Sequence, residues 1–360
     1  MTSIKKQLGQ FFTTNYDYIL QNFQIENEYN IIEPFAGNCD LLNFIFETDN
    51  VIDEIKNTKT YKIELYDIDP KHDICIKKDT LKDVPDYNNK FIITNPPYLA
   101  RNKNKDKSLY NKYDCDDLYK CFIKSIIPEH NNSNNYCNGG IIIVPVNFIS
   151  SIRKKDMELR RDFTKIYNIL RINIFEEQVF DDTSYAVCSI LFKKHNLCDV
   201  QKYIKCDIYP SKQTINIKFN KSNNYSCGGE IYNLPKKSVY TIERATSKTN
   251  NNNITNLLLK CIDDSITNKI KMLYVTDEKI VIDNTKNLSA RSYMSLVIKP
   301  KISEEIQKKL CNGFNDYLNT KRDEYNSLFL TNFRESNTIA RKRISFDLIY
   351  RICHNILSEL

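Results

Sequence analysis

Phe91-Ile92-Ile93-Thr94-Asn95-Pro96-Pro97-Tyr98 is the stretch on which the reading of this chain turns. Its first four residues are continuously apolar or β-branched, as expected of a parallel strand covered on both faces. Two consecutive prolines then end the strand in a rigid, extended turn with few donors. The carboxyl edge of a parallel strand is where α/β folds hold reactive groups. The turn can fix the Asn95 side-chain oxygen and the Pro96 carbonyl as convergent acceptors. A planar amino group set between them would donate both hydrogens and present a nucleophilic lone pair, with the Tyr98 ring as a flat face beside it. The plainer alternative is a proline turn that merely ends a strand.

Working outward, short apolar runs alternate with amphipathic stretches through the first two hundred residues, the pattern of an α/β sheet with crossover helices. Strands are expected at Asn30 to Pro34, Ile63 to Asp67, Asp73 to Ile76, Phe91 to Thr94, Ile141 to Val144, Leu170 to Ile174 and Ala186 to Lys193. Helices are expected at Cys39 to Ile45, Leu118 to Ile127 and Lys155 to Tyr167. Beyond Cys198 the texture turns Tyr-, Asn- and Ser-rich, with a polar loop at Ser247 to Asn253. Two helical patterns, from Ser303 to about Phe329 and from near Ser345, close the chain. The length of 360 residues suggests two domains, placed at 1–198 and 199–360.

Composition narrows the classes. Lys and Arg number 52 against 45 Asp and Glu, a net charge of +7 that permits a nucleic-acid partner. Asn, Lys, Ile and Tyr all have codons of A and T alone, so part of the Lys excess has a mutational reading, and an AT-rich genome, viral or microbial, is expected. Twelve Cys without a C-x-x-C pair and only four His argue for a reducing compartment and against a structural metal site. The longest apolar run, Ile141 to Ile149, is too short to span a membrane, and the first residues lead into no signal-like stretch. A cytoplasmic location is expected, the host cytoplasm if the source is viral.

Candidate site residues follow one another at successive strand ends. Glu33-Pro34-Phe35-Ala36-Gly37-Asn38-Cys39-Asp40 reads as a first strand, a small-residue turn and a helix start, where a nucleoside-bearing cofactor meets a sheet. Tyr66-Asp67-Ile68-Asp69-Pro70 ends the next strand with acids placed to accept from ribose hydroxyls. Asp79, followed by Thr80, could accept from an adenine amino group. Each acid alone reads equally as a cap or turn residue; the ordered series is what points to a site.

This series resembles the gamma group of amino-methyltransferases, the S-adenosylmethionine-dependent DNA adenine-N6 methyltransferases of restriction–modification systems. The resemblance covers residues 8 to 194, with Gly9-Gln10-Phe11-Phe12-Thr13-Thr14 like the family's cofactor motif ahead of the glycine turn. It implies a Rossmann-like, seven-stranded, mostly parallel sheet with helices on both faces, and a C-terminal mixed or α-rich target-recognition domain. It implies S-adenosyl-L-methionine as cofactor, with Thr13, Glu33 and the Pro34-Phe35-Ala36-Gly37 turn at the methionine end. Asp67 and Ile68 would line the ribose end, and Asp79 and Thr80 the adenine end. Asn95 and Pro96 would bind the target amino group, Pro97 would stiffen the turn, and Tyr98 would stack on a flipped adenine. Asp117-Leu118-Tyr119-Lys120-Cys121-Phe122 and Gly139 to Pro145 fit the family's next helix and strand. Phe180 falls where an aromatic packs on the extruded base, or else is a core Phe at a strand end. Two positions depart from the family pattern: Cys39 stands at the usual second Gly and Thr14 at the usual Pro.

Double-stranded DNA is the implied partner, and a cognate restriction endonuclease a further candidate. Arg101, Lys103, Lys105 and Lys107 follow the proline turn in a polar loop, and Arg334, Arg341, Lys342 and Arg343 cluster between the closing helices. Both sets read either as DNA contacts or as solvated charge. Rival readings are a methyltransferase acting on an RNA base or a protein glutamine, and a DNA-binding relative that has lost catalysis.

Overall fold

The run Phe91–Thr94 forms a strand with all four residues buried. In this computed structural model it is the fourth strand, β4, of a nine-stranded sheet. The structure describes residues 9, 11, 13–25, 30–48, 50–57, 61–128, 134–180, 186–195, 203–249, 251–264, 269–276, 292–333 and 341–360. The remaining strands of the sheet are β1 (Asn30–Glu33), β2 (Lys62–Asp67), β3 (Ile76–Lys77), β5 (Gly139–Pro145), β6 (Tyr167–Phe175), β7 (Val187–Lys194), β8 (Ile204–Tyr209) and β9 (Gln213–Ile217). Their order is β3-β2-β1-β4-β5-β7-β6-β8-β9. Pairing is parallel from β3 through β5 and between β6 and β8, while β7 runs antiparallel between β5 and β6, and β9 antiparallel to β8.

The strand order reverses at β1. From there the chain builds outward to β2 and β3 on one side and to β4 and β5 on the other. The crevice beyond the carboxyl ends of β1 and β4 is therefore the topological switch point, where open α/β sheets bind ligands.

Short helices flank these strands: α1 (Tyr16–Leu20), α2 (Leu42–Phe46), α3 (Val51–Asn57), α4 (Ser108–Lys112), α5 (Leu118–Ser125) and α6 (Lys154–Ile166). All seven residues of β5 are buried, and Phe163 of α6 packs at 5.2 Å, ring to ring, on Phe192 of β7. The first turn expected of a helix at Cys39 is absent. Cys39 has φ +64°, outside helical space, and α2 begins at Leu42.

Two corrections concern the sheet. Seven strands were expected, and β8 and β9 extend the sheet to nine, within a compact unit that runs to Phe219. The alternating Ile204-Lys205-Cys206-Asp207-Ile208 was masked by its polar half, yet those polar groups satisfy one another. Asp207 pairs with Arg171 at 2.6 Å and accepts from Thr214 at 2.7 Å. The third strand, expected over Asp73 to Ile76, is reduced to Ile76 and Lys77.

The second unit takes in Ser150–Ile152 and, for the most part, the chain from Asn220 onward. Its four-stranded antiparallel sheet, in the order β10-β13-β11-β12, comprises β10 (Thr241–Arg244), β11 (Ile254–Lys260), β12 (Lys271–Tyr274) and β13 (Tyr293–Lys299). Leu257, Leu259, Leu296 and Ile298 from this sheet share a core with Leu310, Phe314 and Leu318 of α7 (Glu304–Tyr325) and Ile349 and Ile352 of α8 (Phe346–Glu359). Ser303 and Ser345 cap these helices by accepting from Ile306 and Leu348 backbone N–H groups. The mixed or α-rich expectation thus resolves into an antiparallel sheet with two helices sharing its core. A hairpin of β14 (Thr331–Phe333) and β15 (Arg341–Arg343) precedes α8. Among the described residues no helix is long and apolar enough to cross a membrane.

Candidate functional site

The crevice at the switch point is built by three strand ends and one N-terminal segment. After β1 the chain turns through Pro34 to Cys39. Ala36 N–H donates to the Tyr66 carbonyl at 2.9 Å, and Gly37 N–H donates to Asp67 Oδ2 at 2.9 Å. Asp67, buried at the end of β2, also accepts the Asp69 N–H at 2.8 Å. One carboxylate thus locks the glycine turn to the neighbouring strand. Thr80, also buried, donates to the Pro34 carbonyl at 3.0 Å. Asp79 Oδ1 accepts the Leu81 and Lys82 N–H groups at 3.2 Å each.

These groups border a cavity of about 240 Å³, which Phe35, Gly37, Asp67, Ile68, Asp79, Thr80, Asn95 and Pro97 all line. A smaller hollow beside it is lined by Thr13, Glu33, Ala36, Asp40 and Asn95. Glu33 is 1% exposed, and its Oε2 has no hydrogen-bond partner among the described residues. Burial, reinforced by the Asp40 and Asp67 carboxylates, pushes its carboxyl well above the usual range. An orphaned acid at the wall of a hollow is a place for a cationic donor.

Asn95 leaves the end of β4 with its amide fixed. Its Nδ2 donates to the Phe11 carbonyl at 2.8 Å and to Thr13 Oγ1 at 3.0 Å. Because a backbone carbonyl only accepts, this assigns the nitrogen to that side and aims Oδ1 the other way. The Tyr98 hydroxyl reaches both Asn95 Oδ1, at 2.5 Å, and the Ile143 carbonyl, at 2.7 Å. One hydroxyl hydrogen can turn to either, so Oδ1 can be released when another donor arrives.

The ring of Tyr98 departs from the sequence reading. It is 4% exposed, 5.4 Å from Phe11 and edge-on to Tyr119 at 6.1 Å. Phe180, likewise 4% exposed, stacks on Phe11, their ring centroids 6.2 Å apart. Tyr98 and Phe180 therefore meet through Phe11, which covers the face expected to be open.

Thr13, Glu33, the Phe35 to Gly37 turn, Asp67, Asp79 and Asn95 are thus gathered at one crevice. Of the basic loop, Lys103 and Lys105 are exposed, while Arg101 donates to Asn111 Oδ1 at 2.7 Å. Lys342 and Arg343 lie on β15 of the second unit, and Arg334 lies outside the described residues. Sequence reasoning missed Phe11, although its motif was in view, and Asn104, Asp106, Leu109 and Leu118, which also line the larger cavity.

No family model matches the chain, and no curated protein sequence matches it. Solved structures do. The type I restriction-modification system methyltransferase subunit from Streptococcus thermophilus is 14% identical, over 60% of this chain and 50% of that one, with a TM-score of 0.39. The M protein of the type I restriction enzyme EcoKI is 13% identical, over 97% and 70%, with a TM-score of 0.38. DrdV, solved in complex with DNA, is 14% identical, over 67% and 36%, with a TM-score of 0.40. The chain spans about half the length of the Streptococcus subunit and about a third of DrdV.

Proposed function

We propose that this chain moves a methyl group from S-adenosylmethionine to the N6 amino group of an adenine extruded from double-stranded DNA. The observation that carries the reading is the fixed Asn95 amide at the end of β4, held by Phe11 and Thr13 beside a cavity with acids at two further strand ends. The motif resemblance over residues 8 to 194 supports it independently.

The residues present fit the cofactor. Glu33 Oε2 offers an acceptor without a partner among the described residues for an ammonium, and the Asp67 and Asp79 carboxylates both line the neighbouring cavity, where ribose hydroxyls and an adenine amino group would meet them. When bound, S-adenosylmethionine supplies an already activated methyl electrophile.

The chain's own residues then have a positioning task. Asn95 Oδ1 and the Pro96 carbonyl accept the two hydrogens of the target amino group and turn its lone pair outward. As Oδ1 takes up the substrate, the Tyr98 hydroxyl swings to the Ile143 carbonyl, so no buried donor is left without a partner. Phe11 must yield its place between Tyr98 and Phe180 for the flipped ring to stack there. Extrusion costs a few kcal/mol, and stacking returns ~1–3 kcal/mol per aromatic contact.

The test is expression in a methylation-deficient bacterium followed by analysis of its genomic DNA. N6-methyladenine is expected with the natural chain and none with Asn95→Ala, whose melting temperature should remain close to the parent's. Methyl groups on RNA or protein, with none on DNA, would move the reading to the rival class. Unchanged transfer by Asn95→Ala would overturn the acceptor role.

A further inference from the structure

The stretch from Arg101 to Lys107 reads in sequence as a basic strap for a phosphate backbone, yet its bonds turn inward. Lys107 Nζ donates to the backbone carbonyls of Arg101 and Asn104. Asn104 Oδ1 accepts the Asp106 N–H at 3.1 Å, and Asp106 Oδ1 accepts the Ser108 N–H at 2.8 Å, where α4 begins. Asn104 Nδ2 reaches the Tyr110 hydroxyl at 3.3 Å, and that hydroxyl donates to the carbonyl of Leu99, the residue after Tyr98. The loop is stitched to the catalytic turn.

Asn104 and Asp106 line the same 240 Å³ cavity as Asp67 and Asp79. Lys82, paired with Asp79 at 3.5 Å, also lies close enough to lower the Asp106 carboxyl below the usual range, after the Ser108 bonds that dominate the shift. Asp79, Lys82 and Asp106 all line that cavity. Adenine's exocyclic amino group carries two hydrogens. Asp79 Oδ1 already accepts two backbone N–H groups, so a second carboxylate lining the same cavity has a natural donor to meet.

We propose that Asp106 is a specificity-determining residue of this cavity, accepting one hydrogen of the adenine 6-amino group while Asp79 accepts the other, with Lys107 and Asn104 holding it in place. The assignment rests on the nucleoside reading of the cavity given above. A base with a 6-keto oxygen would set an acceptor against two carboxylates and be rejected.

The experiment titrates the full chain with S-adenosylhomocysteine, adenosine and purine riboside, which lacks the 6-amino group. Asp106→Asn keeps an acceptor for Ser108 but presents a donor where the carboxylate presented only acceptors. It should weaken adenosine about tenfold and purine riboside less than about twofold. Lys107→Met should weaken adenosine in the same sense while leaving the salt dependence of DNA binding unaltered. An adenosine affinity unmoved by Asp106→Asn, or an equal loss for both nucleosides, would overturn the assignment. If Asp67→Ala weakens S-adenosylhomocysteine while Asp106→Asn is silent, only the Asp106 role falls. If the natural chain binds neither S-adenosylhomocysteine nor adenosine, the nucleoside reading falls with it.

Discussion

A Cβ on Gly9 would meet the Tyr98 carbonyl oxygen at 2.8 Å, and the backbone there has φ +71°. Both facts exclude a side chain, and the Gly9 carbonyl in turn accepts the Tyr98 N–H at 2.9 Å. The first residue of the N-terminal motif thus presses directly on the proline turn. Cys39 shows the opposite tolerance. It keeps φ +64° despite its Cβ, at a cost of about 1–2 kcal/mol, and its side chain is buried. The departure from glycine is therefore absorbed at Cys39, whereas Gly9 has no room for one. Gly9→Ala should displace the turn and lower the single-turnover transfer rate about a hundredfold, since an ångström at a reacting centre is worth that much. The melting temperature should fall by only a few degrees. A rate within twofold of the parent would show that this backbone contact does not set the position of Asn95.

At the scale of elements, the strands legible in sequence were those with both faces apolar, β4 and β5, or with a marked turn after them, β1 and β2. Less legible were β8 and β9, whose polar residues pair across strands, as Asp207 does with Arg171 and Thr214. A single sequence does not reveal such pairing. The loop after Tyr98 was legible only in part for a related reason. Its charges suggested solvent or phosphate, but Lys107 spends its donors on carbonyls of its own loop. The start of α5 carries a similar hidden group. Asp117 accepts the Leu99 N–H at 3.1 Å, and burial raises its carboxyl from 3.8 to about 6. A raised folded-state value means that its stabilising contribution is fully present below pH 3.8 and is lost as pH rises through 6. Above pH 7 the ionised group therefore costs ~3 kcal/mol, which Asp117→Asn should recover while its amide oxygen keeps the Leu99 bond. The variant should melt a few degrees higher than the parent at pH 7.5, and the gap should close as pH falls toward 4. A gap that stays constant across this range would place the ionisation elsewhere.

Across the whole molecule, the net charge of +7 is a modest excess of 52 cationic over 45 acidic side chains, spread over two units. In the first unit, two of the four cations that follow Tyr98 are engaged locally, Arg101 with Asn111 and Lys107 with carbonyls of its own loop, while Lys103 and Lys105 are exposed. The second unit presents a different arrangement. Its β14–β15 hairpin carries Arg341, Lys342 and Arg343 in succession on one short strand, and Arg343 is exposed. The hairpin is held by backbone bonds: Lys342 carbonyl accepts the Asp263 N–H at 2.8 Å, and Ile344 N–H donates to the Cys261 carbonyl at 3.0 Å. Side-chain truncation leaves these bonds in place, so function and fold can be separated here. If the hairpin meets the phosphate backbone, Lys342→Ala and Arg343→Ala should each weaken duplex binding to about the same degree on all sequences. Each should also make the slope of log affinity against log salt shallower by about one. Loss confined to one base sequence, with the slope unchanged, would instead mean that these side chains read base edges. Affinity and slope both unchanged would return the hairpin to ordinary solvated surface and leave DNA binding to other parts of the chain.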